Sequence, residues 1–473
     1  MLTTLPYPGM GGRTAGDAEA PSQGSAVGGS GLVRMVAMTA GWTDCEGFHR
    51  RDFLKIGSAG LLGLTLPDLL RLEARAGAKK TRRATNVIMV WLAGGPATID
   101  MWDLKPEAPE GIRGEFKEIA TRAPGIRICE HLPHMAAVMP QCTLVRSLYH
   151  NISAHELGTL YMTTGNKPSP AVQYPSLGSL AAKLLPSERG VPSYVSFGVL
   201  RGGAAGGAGY LGAGYNPFEV EGQAGRGTLR VRGISLPTNF TQSELENRYR
   251  LMERFDQAFK ALDQSDSLAA GLDRFQQEAL DILRSDRTRK AFDIGQEPTA
   301  VRQRYGEDPF GASALAARRL IEAGVRFVTL SLGGWDTHSN NFTTLKQRLL
   351  PQLDRTLSAL IEDLHQRGLL ATTVVYCAGE FGRTPRVNRN AGRDHWGRAL
   401  SVLLAGGGFK PGIVYGSTDK QGMTPQTDPC TPDDVSATIF HLLGVDPYHE
   451  LMTSAGRPLP LFREGKVLEK IVG

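Results

Sequence analysis

The apolar residues of this chain fall into short continuous runs separated by helical patterns. Asn86-Val87-Ile88-Met89-Val90-Trp91-Leu92 is unbroken and ends in Ala93-Gly94-Gly95-Pro96. A run without polar alternation is buried on both faces, which describes a strand of a parallel sheet entering a loop. Four further runs repeat the pattern, at 143–148, 327–332, 372–377 and 401–405. Between the second and third of these, Leu349, Leu350, Leu353, Leu357, Leu360, Ile361 and Leu364 stand at helical spacing. Strands alternating with helices predict a doubly wound, mostly parallel α/β sheet. Residues 241–320 read mostly as helix (243–262, 268–283 and 309–323) and are expected to form a helical insertion on that core. The glycine-rich stretch 202–214 has no G-x-G-x-x-G between a strand and a helix, so it reads as a mobile loop over the sheet edge, not a nucleotide cradle.

The N-terminal part follows a different logic. Residues 1–48 have no sustained apolar period and cannot bury a core, so they read as a disordered extension. Then come Arg50-Arg51-Asp52-Phe53-Leu54-Lys55, an apolar stretch from Ile56 to Leu72, and Ala74-Arg75-Ala76-Gly77-Ala78. A charged start, a short apolar middle and an A-x-A end make a secretory signal, here of the twin-arginine type. Pro67, Asp68 and Arg71 interrupt the apolar stretch short of the roughly 18–20 residues that span a bilayer, so no stable membrane span is expected. The arginine pair lies far from Met1, which makes the first residues a start-site error, with Met35 or Met38 as the start. The expected organisation is an extension at 1–48, a signal at 49–78 and one exported domain at 79–473, periplasmic or extracellular.

Charge and cysteine usage narrow the picture. The net charge of +6 invites a nucleic-acid reading, but Lys79-Lys80-Thr81-Arg82-Arg83 carry +4 of it beside the cleavage-like site. The domain is close to neutral, which excludes a phosphate-tracking surface. Cys45 precedes the signal, and Cys129, Cys142, Cys377 and Cys430 have no C-x-x-C spacing, which argues against a cysteine metal knuckle. In an oxidising compartment, Cys129 with Cys142 is the candidate disulfide.

In open α/β sheets, ligands bind beyond the carboxyl ends of the strands. After 143–148 come His150, Ser153, His155 and Glu156; after 327–332 come Asp336 and His338; after 372–377 come Glu380 and Arg383. Just before 401–405 stand Arg393, Asp394 and His395, and Asp100 and Asp103 follow the first strand. Each has an ordinary structural reading: a turn cap at Asp336, a Glu380–Arg383 pair, a surface Asp394–His395 pair, an acidic helix start at His155-Glu156. Four of the ten histidines nevertheless gather at one predicted edge. Asp, Glu and His together are a donor set for a divalent ion, with zinc, calcium, manganese and magnesium all open.

The segments CEGFHRRDFLKIGSAGLLGLTLPDLL, HNISAHELGTLYMTTG, GGWDTHSNNF, GEFGRTPRVNRNAGRDHW and ATIFHLLGVD closely resemble the DUF1501 family of exported bacterial proteins, from Cys45 nearly to the end. That family is similar to the alkaline phosphatase and sulfatase superfamily, which implies an α/β/α sandwich hydrolysing phosphate or sulfate esters at a metal site. The resemblance implies Asp336 as a metal ligand, His338 close to its paired histidine, and His395 as the late metal-binding histidine with Asp394 beside it. Glu380-Phe381-Gly382 stands where the superfamily has Asp-His-Gly, so Glu380 keeps one ligand and Phe381 loses the other. Arg383 or Arg393 would clamp the anion. The first strand lacks the superfamily's terminal Asp, with Asp100 as its substitute. The nucleophile candidate is Ser153, and His150 or His155 would be ligand or base. The implied function is an exported metal-dependent hydrolase of sulfate or phosphate esters, on small molecules or polysaccharide. The alternative is a catalytically degenerate metal- or anion-binding protein on the same fold. Metal identity and oligomeric state are open.

Overall fold

The computed structural model describes residues 84–198, 200, 204–220, 281, 285–453 and 455–473. The expected signal, the extension before it, helix 243–262, helix 268–283 apart from Asp281, and part of the glycine-rich stretch lie outside the described residues.

All five strands expected from the apolar runs form, and they belong to one eight-stranded sheet. Its strands are β1 (Asn86–Ala93), β2 (Cys142–Leu148), β3 (Tyr194–Phe197), β4 (Phe218–Val220), β5 (Phe327–Gly333), β6 (Thr373–Ala378), β7 (Leu400–Ala405) and β8 (Ile413–Tyr415). They lie in the order β8-β2-β7-β6-β1-β5-β3-β4. β1 pairs in parallel with β5 and β6 on either side, which is why its residues are buried on both faces. Successive β1 side chains serve opposite layers. Ile88, Val90 and Leu92 join one core cluster with α6 (Pro309–Glu322) and α7 (Leu350–Gln366). Val87, Met89 and Trp91 join another with α3 (Leu177–Leu184) and α8 (Pro432–Leu442). The result is an α/β/α sandwich with a mostly parallel sheet.

The helices start where the sequence provides caps. Asp308 accepts from the amides of Phe310 and Gly311 with Pro309 in the first turn of α6, and Thr431 with Asp434 forms a capping box on α8. The sequence pattern groups 309–320 with the insertion; in the structure α6 is a layer helix, with Leu315, Leu320 and Ile321 in the same core as β1. Cys129, Cys142, Cys377 and Cys430 are all free and buried, so the candidate Cys129–Cys142 disulfide does not form. Among the described residues no helix is long and apolar enough to cross a membrane.

One strand direction decides where the chemistry collects. β7 is antiparallel to both neighbours, β2 and β6, while every other pairing in the sheet is parallel. The chain just upstream of β7 therefore lies at the carboxyl edge of the parallel strands. Ala93 of β1 sits beside Gly333 of β5, so the loops after both strands leave that edge together.

Candidate metal centre

Four loops and the start of one helix meet at this edge. The loop after β5 carries Asp336 and His338; the chain after β6 runs through Glu380 and Arg383 to Asp394 and His395; α2 (His155–Thr164) begins with His155. His395 and Arg383 are opposed in a short antiparallel pairing, Gly382–Arg383 with His395–Trp396. The loop after β1 is kept close by Gly94, whose φ is +120°. A Cβ there would strike the Asp336 amide and Trp335.

The centre is Asp336. Its Oδ1 lies 3.2 Å from His338 Nε2 and 3.2 Å from His395 Nε2, and its Oδ2 lies 3.3 Å from His155 Nε2. The Nε2 atoms of His338 and His395 are only 2.9 Å apart. Donor atoms of His155, Asp336 and His395 all lie within 4.8 Å of one another.

Each of the three imidazoles is held from behind through Nδ1. His155 Nδ1 donates to Glu380 Oε1 at 2.6 Å, His338 Nδ1 to Asp394 Oδ1 at 2.8 Å, and His395 Nδ1 to the Ser153 carbonyl at 2.7 Å. Carboxylates and carbonyls only accept, so each Nδ1 carries a proton, and each ring turns its Nε2 towards Asp336. Burial lowers the His395 pKa, against the Ser153 carbonyl and Asp336 which raise it. Two ring nitrogens 2.9 Å apart beside a carboxylate need a cation or a shared proton among them. Donor atoms around a tetrahedral ion of the zinc class are about 3.3 Å apart, close to the 3.2 Å and 3.3 Å that separate Asp336 from His395 and His155.

Phe381, fully buried, is the floor of the site, its ring centroid 4.5 Å from that of His395 and 5.0 Å from that of His155. Arg383 anchors Asp336 with an Nη2–Oδ1 contact of 2.6 Å. Burial works to raise the Asp336 pKa, but Arg383, followed by His395 and His155, brings it down to about 2, so the carboxylate is ionised at neutral pH.

Several expected roles change. Arg383 donates to the carbonyls of Gly94, Gly95, Trp335 and Arg393 as well as to Asp336, and its side chain is wholly buried. It orients Asp336 and has no face for a substrate anion. Arg393 uses all its nitrogens on Asp100 (2.7 Å to each oxygen) and on the carbonyls of Thr384, Pro385 and Ile112. Asp100 is likewise spent on Arg393 and Asn341, so it does not replace a strand-end ligand, and neither residue reaches the cluster. His150 is buried with both ring nitrogens occupied, by the Glu380 carbonyl and the Ile152 amide, and burial pushes its pKa down to about 4; it is structural. Glu380 stands on the Nδ1 side of His155, behind the ring and not among the Nε2 donors. Ser153 is exposed and meets the site through its carbonyl. Asp394 orients His338 and is pulled below the usual carboxylate range mainly by that hydrogen bond.

Two contributors carry no sequence signal, the Ser153 carbonyl and the Gly94 amide that donates to Glu380 Oε1 at 2.9 Å. Arg348 is exposed and, among the described residues, makes no ion pair; its guanidinium lies so close to Gly334 that a Cβ there would be 2.7 Å from Nη2.

The fold and site together define an α/β/α protein with a three-histidine, one-aspartate cluster at the carboxyl edge of its sheet. The chain belongs to the family described as "Protein of unknown function (DUF1501)", which matches residues 84–472. No curated protein matches it. Among solved structures, it is similar to the PsFucS1 sulfatase from Pseudoalteromonas sp. at 12% identity, over 81% of this chain and 72% of that one, with a TM-score of 0.35. It is also similar to a phosphonate monoester hydrolase from Silicibacter pomeroyi (12%, 81% and 76%, TM-score 0.36) and to an alkaline phosphatase from the Antarctic bacterium TAB5 (13%, 76% and 98%, TM-score 0.34).

Proposed function

We propose that this protein is an exported, metal-dependent hydrolase of sulfate or phosphate esters, borne on small molecules or on polysaccharide. The observation that carries the reading is the convergence of the His155, His338 and His395 Nε2 atoms on Asp336, each with its Nδ1 tied to an oxygen. Asp336, His155 and His395 would hold the ion, with His338 alongside. When bound, a divalent ion supplies Lewis acidity to a phosphoryl or sulfuryl oxygen. The chain's own part is to keep Asp336 ionised through Arg383, to hold the imidazoles in one tautomer, and to present a cation to the substrate's charge. With Arg383 and Arg393 spent internally, the exposed Arg348, beside Gly334 in the loop that carries Asp336, is the guanidinium we assign to that contact.

Export rests on the order of Arg50-Arg51, the apolar stretch and the Ala-rich end in the sequence. N-terminal sequencing of mature protein tests it, and a first residue upstream of Arg50 would sink it.

A second reading, a binding protein on the same fold, draws on the hydrogen-bond partners of the cluster. Among the described residues no side-chain hydroxyl or thiol hydrogen-bonds to His155, Asp336, His338 or His395. Elemental analysis of the purified protein, followed by a screen of aryl sulfates and aryl phosphates, separates the two. Turnover that disappears on chelation supports the hydrolase. Bound metal and bound sulfate or phosphate without turnover supports the binding protein.

A further inference from the structure

We propose that Glu380 is a positioning residue of this centre and not a metal ligand: it fixes His155 in the tautomer that bares Nε2. The inference rests on the metal-dependent reading above and changes which side chains belong to the donor set. Glu380 Oε1 accepts two hydrogen bonds, from His155 Nδ1 at 2.6 Å and from the Gly94 amide at 2.9 Å. The side chain is 1% exposed, so water does not compete for them. Asp336 stands on the other side of the imidazole, 3.3 Å from Nε2. The two ring nitrogens face opposite ways. An ion taken by Nε2 therefore has the imidazole ring between itself and Glu380 Oε1.

A carboxylate on the distal N–H of a ligating histidine locks the ring and raises the basicity of the donor nitrogen. His338 and His395 are held in a similar way, but by an exposed carboxylate and by a carbonyl of the exposed Ser153. His155 alone is held by a buried charge that is itself pinned to backbone. Gly94 explains how. The end of β1, where the resemblance places a ligand carboxylate, supplies an N–H, and that N–H anchors a carboxylate one step further out.

The test is ¹⁵N NMR of the imidazoles in metal-free full-length protein, joined to zinc titration of wild type, Glu380→Gln and Glu380→Asp. Wild-type His155 should carry its proton on Nδ1, and Glu380→Gln should populate both tautomers. Zinc affinity of Glu380→Gln should fall about 10–100-fold with the ion-to-protein ratio unchanged. Glu380→Asp should recover part of both effects. Wild-type tautomer and affinity in Glu380→Gln would overturn the proposal. Complete loss of the ion in that variant, with the fold intact by circular dichroism, would do the same, because that is how a ligand behaves. A wild-type protein that takes up no zinc while the variant still shifts its tautomer keeps the positioning role and removes the metal reading.

Discussion

Arg383 and Asp336 form a 2.6 Å ion pair in which the guanidinium is wholly buried and the carboxylate is 36% exposed. The asymmetry lets one residue be structural and its partner chemical. Arg383→Ala leaves several carbonyls and one carboxylate without their donor. Breaking a buried pair costs about 3–5 kcal/mol, and the partial exposure of Asp336 reduces this to roughly 2–3 kcal/mol. Urea denaturation should show that loss, and Arg383→Lys should recover little because an ammonium cannot span the same acceptors.

Asp336→Ala removes the one carboxylate that all three imidazoles face. Bound metal per chain, measured by elemental analysis, should fall to background, and His395→Ala should behave alike. Full metal content in both variants would end the site.

Gly94→Ala tests the packing of the loop itself. At φ +120° an alanine is strained, and its Cβ would strike the Asp336 amide. Metal uptake should drop with only a modest fall in thermal stability, since the displaced segment is a loop at the sheet edge.

Arg348→Ala should raise KM for a charged aryl ester about 10-fold or more with a smaller change in kcat, the value of one charge-assisted hydrogen bond in the bound state. An unchanged KM would show that the substrate's charge is met elsewhere.

Away from the site, Arg318 is buried among Glu297, Glu322 and Asp363. Burial alone would raise the pKa values of Glu297 and Asp363. For Glu297, Arg318 and Arg319 outweigh it; for Asp363, Arg367 and Tyr305 lead, with Arg318 adding to them, and both carboxyls sit below their ordinary range. A carboxyl depressed in the folded state contributes stability above its unfolded pKa, near 4, and loses it as pH falls through the folded value. The urea midpoint should therefore decline as pH is lowered below about 4, and Arg318→Met should flatten that decline.

Much of the architecture was legible because a strand buried on both faces has to be written as an unbroken apolar run, as at 86–92 and 372–377. The direction of β7 was not legible: burial on both faces looks the same in either orientation. The gathering of His155, Asp336, His338 and His395 could be read from their places at strand ends. The roles of Arg393 and Asp100 could not, because that pair is closed between residues 293 positions apart. Nor could the Glu380 role, since the same carboxylate can serve as ligand or support depending on which nitrogen of His155 it meets.

The reversed strand β7 also governs the order in which the site can exist. It fills the slot between β2 and β6, two strands more than 220 residues apart in the chain, and His395 arrives with it. Contacts of such long sequence separation are slow to form. The His155–Asp336–His395 cluster therefore exists only once β7 is in place, and ion uptake followed in time during refolding would report that step.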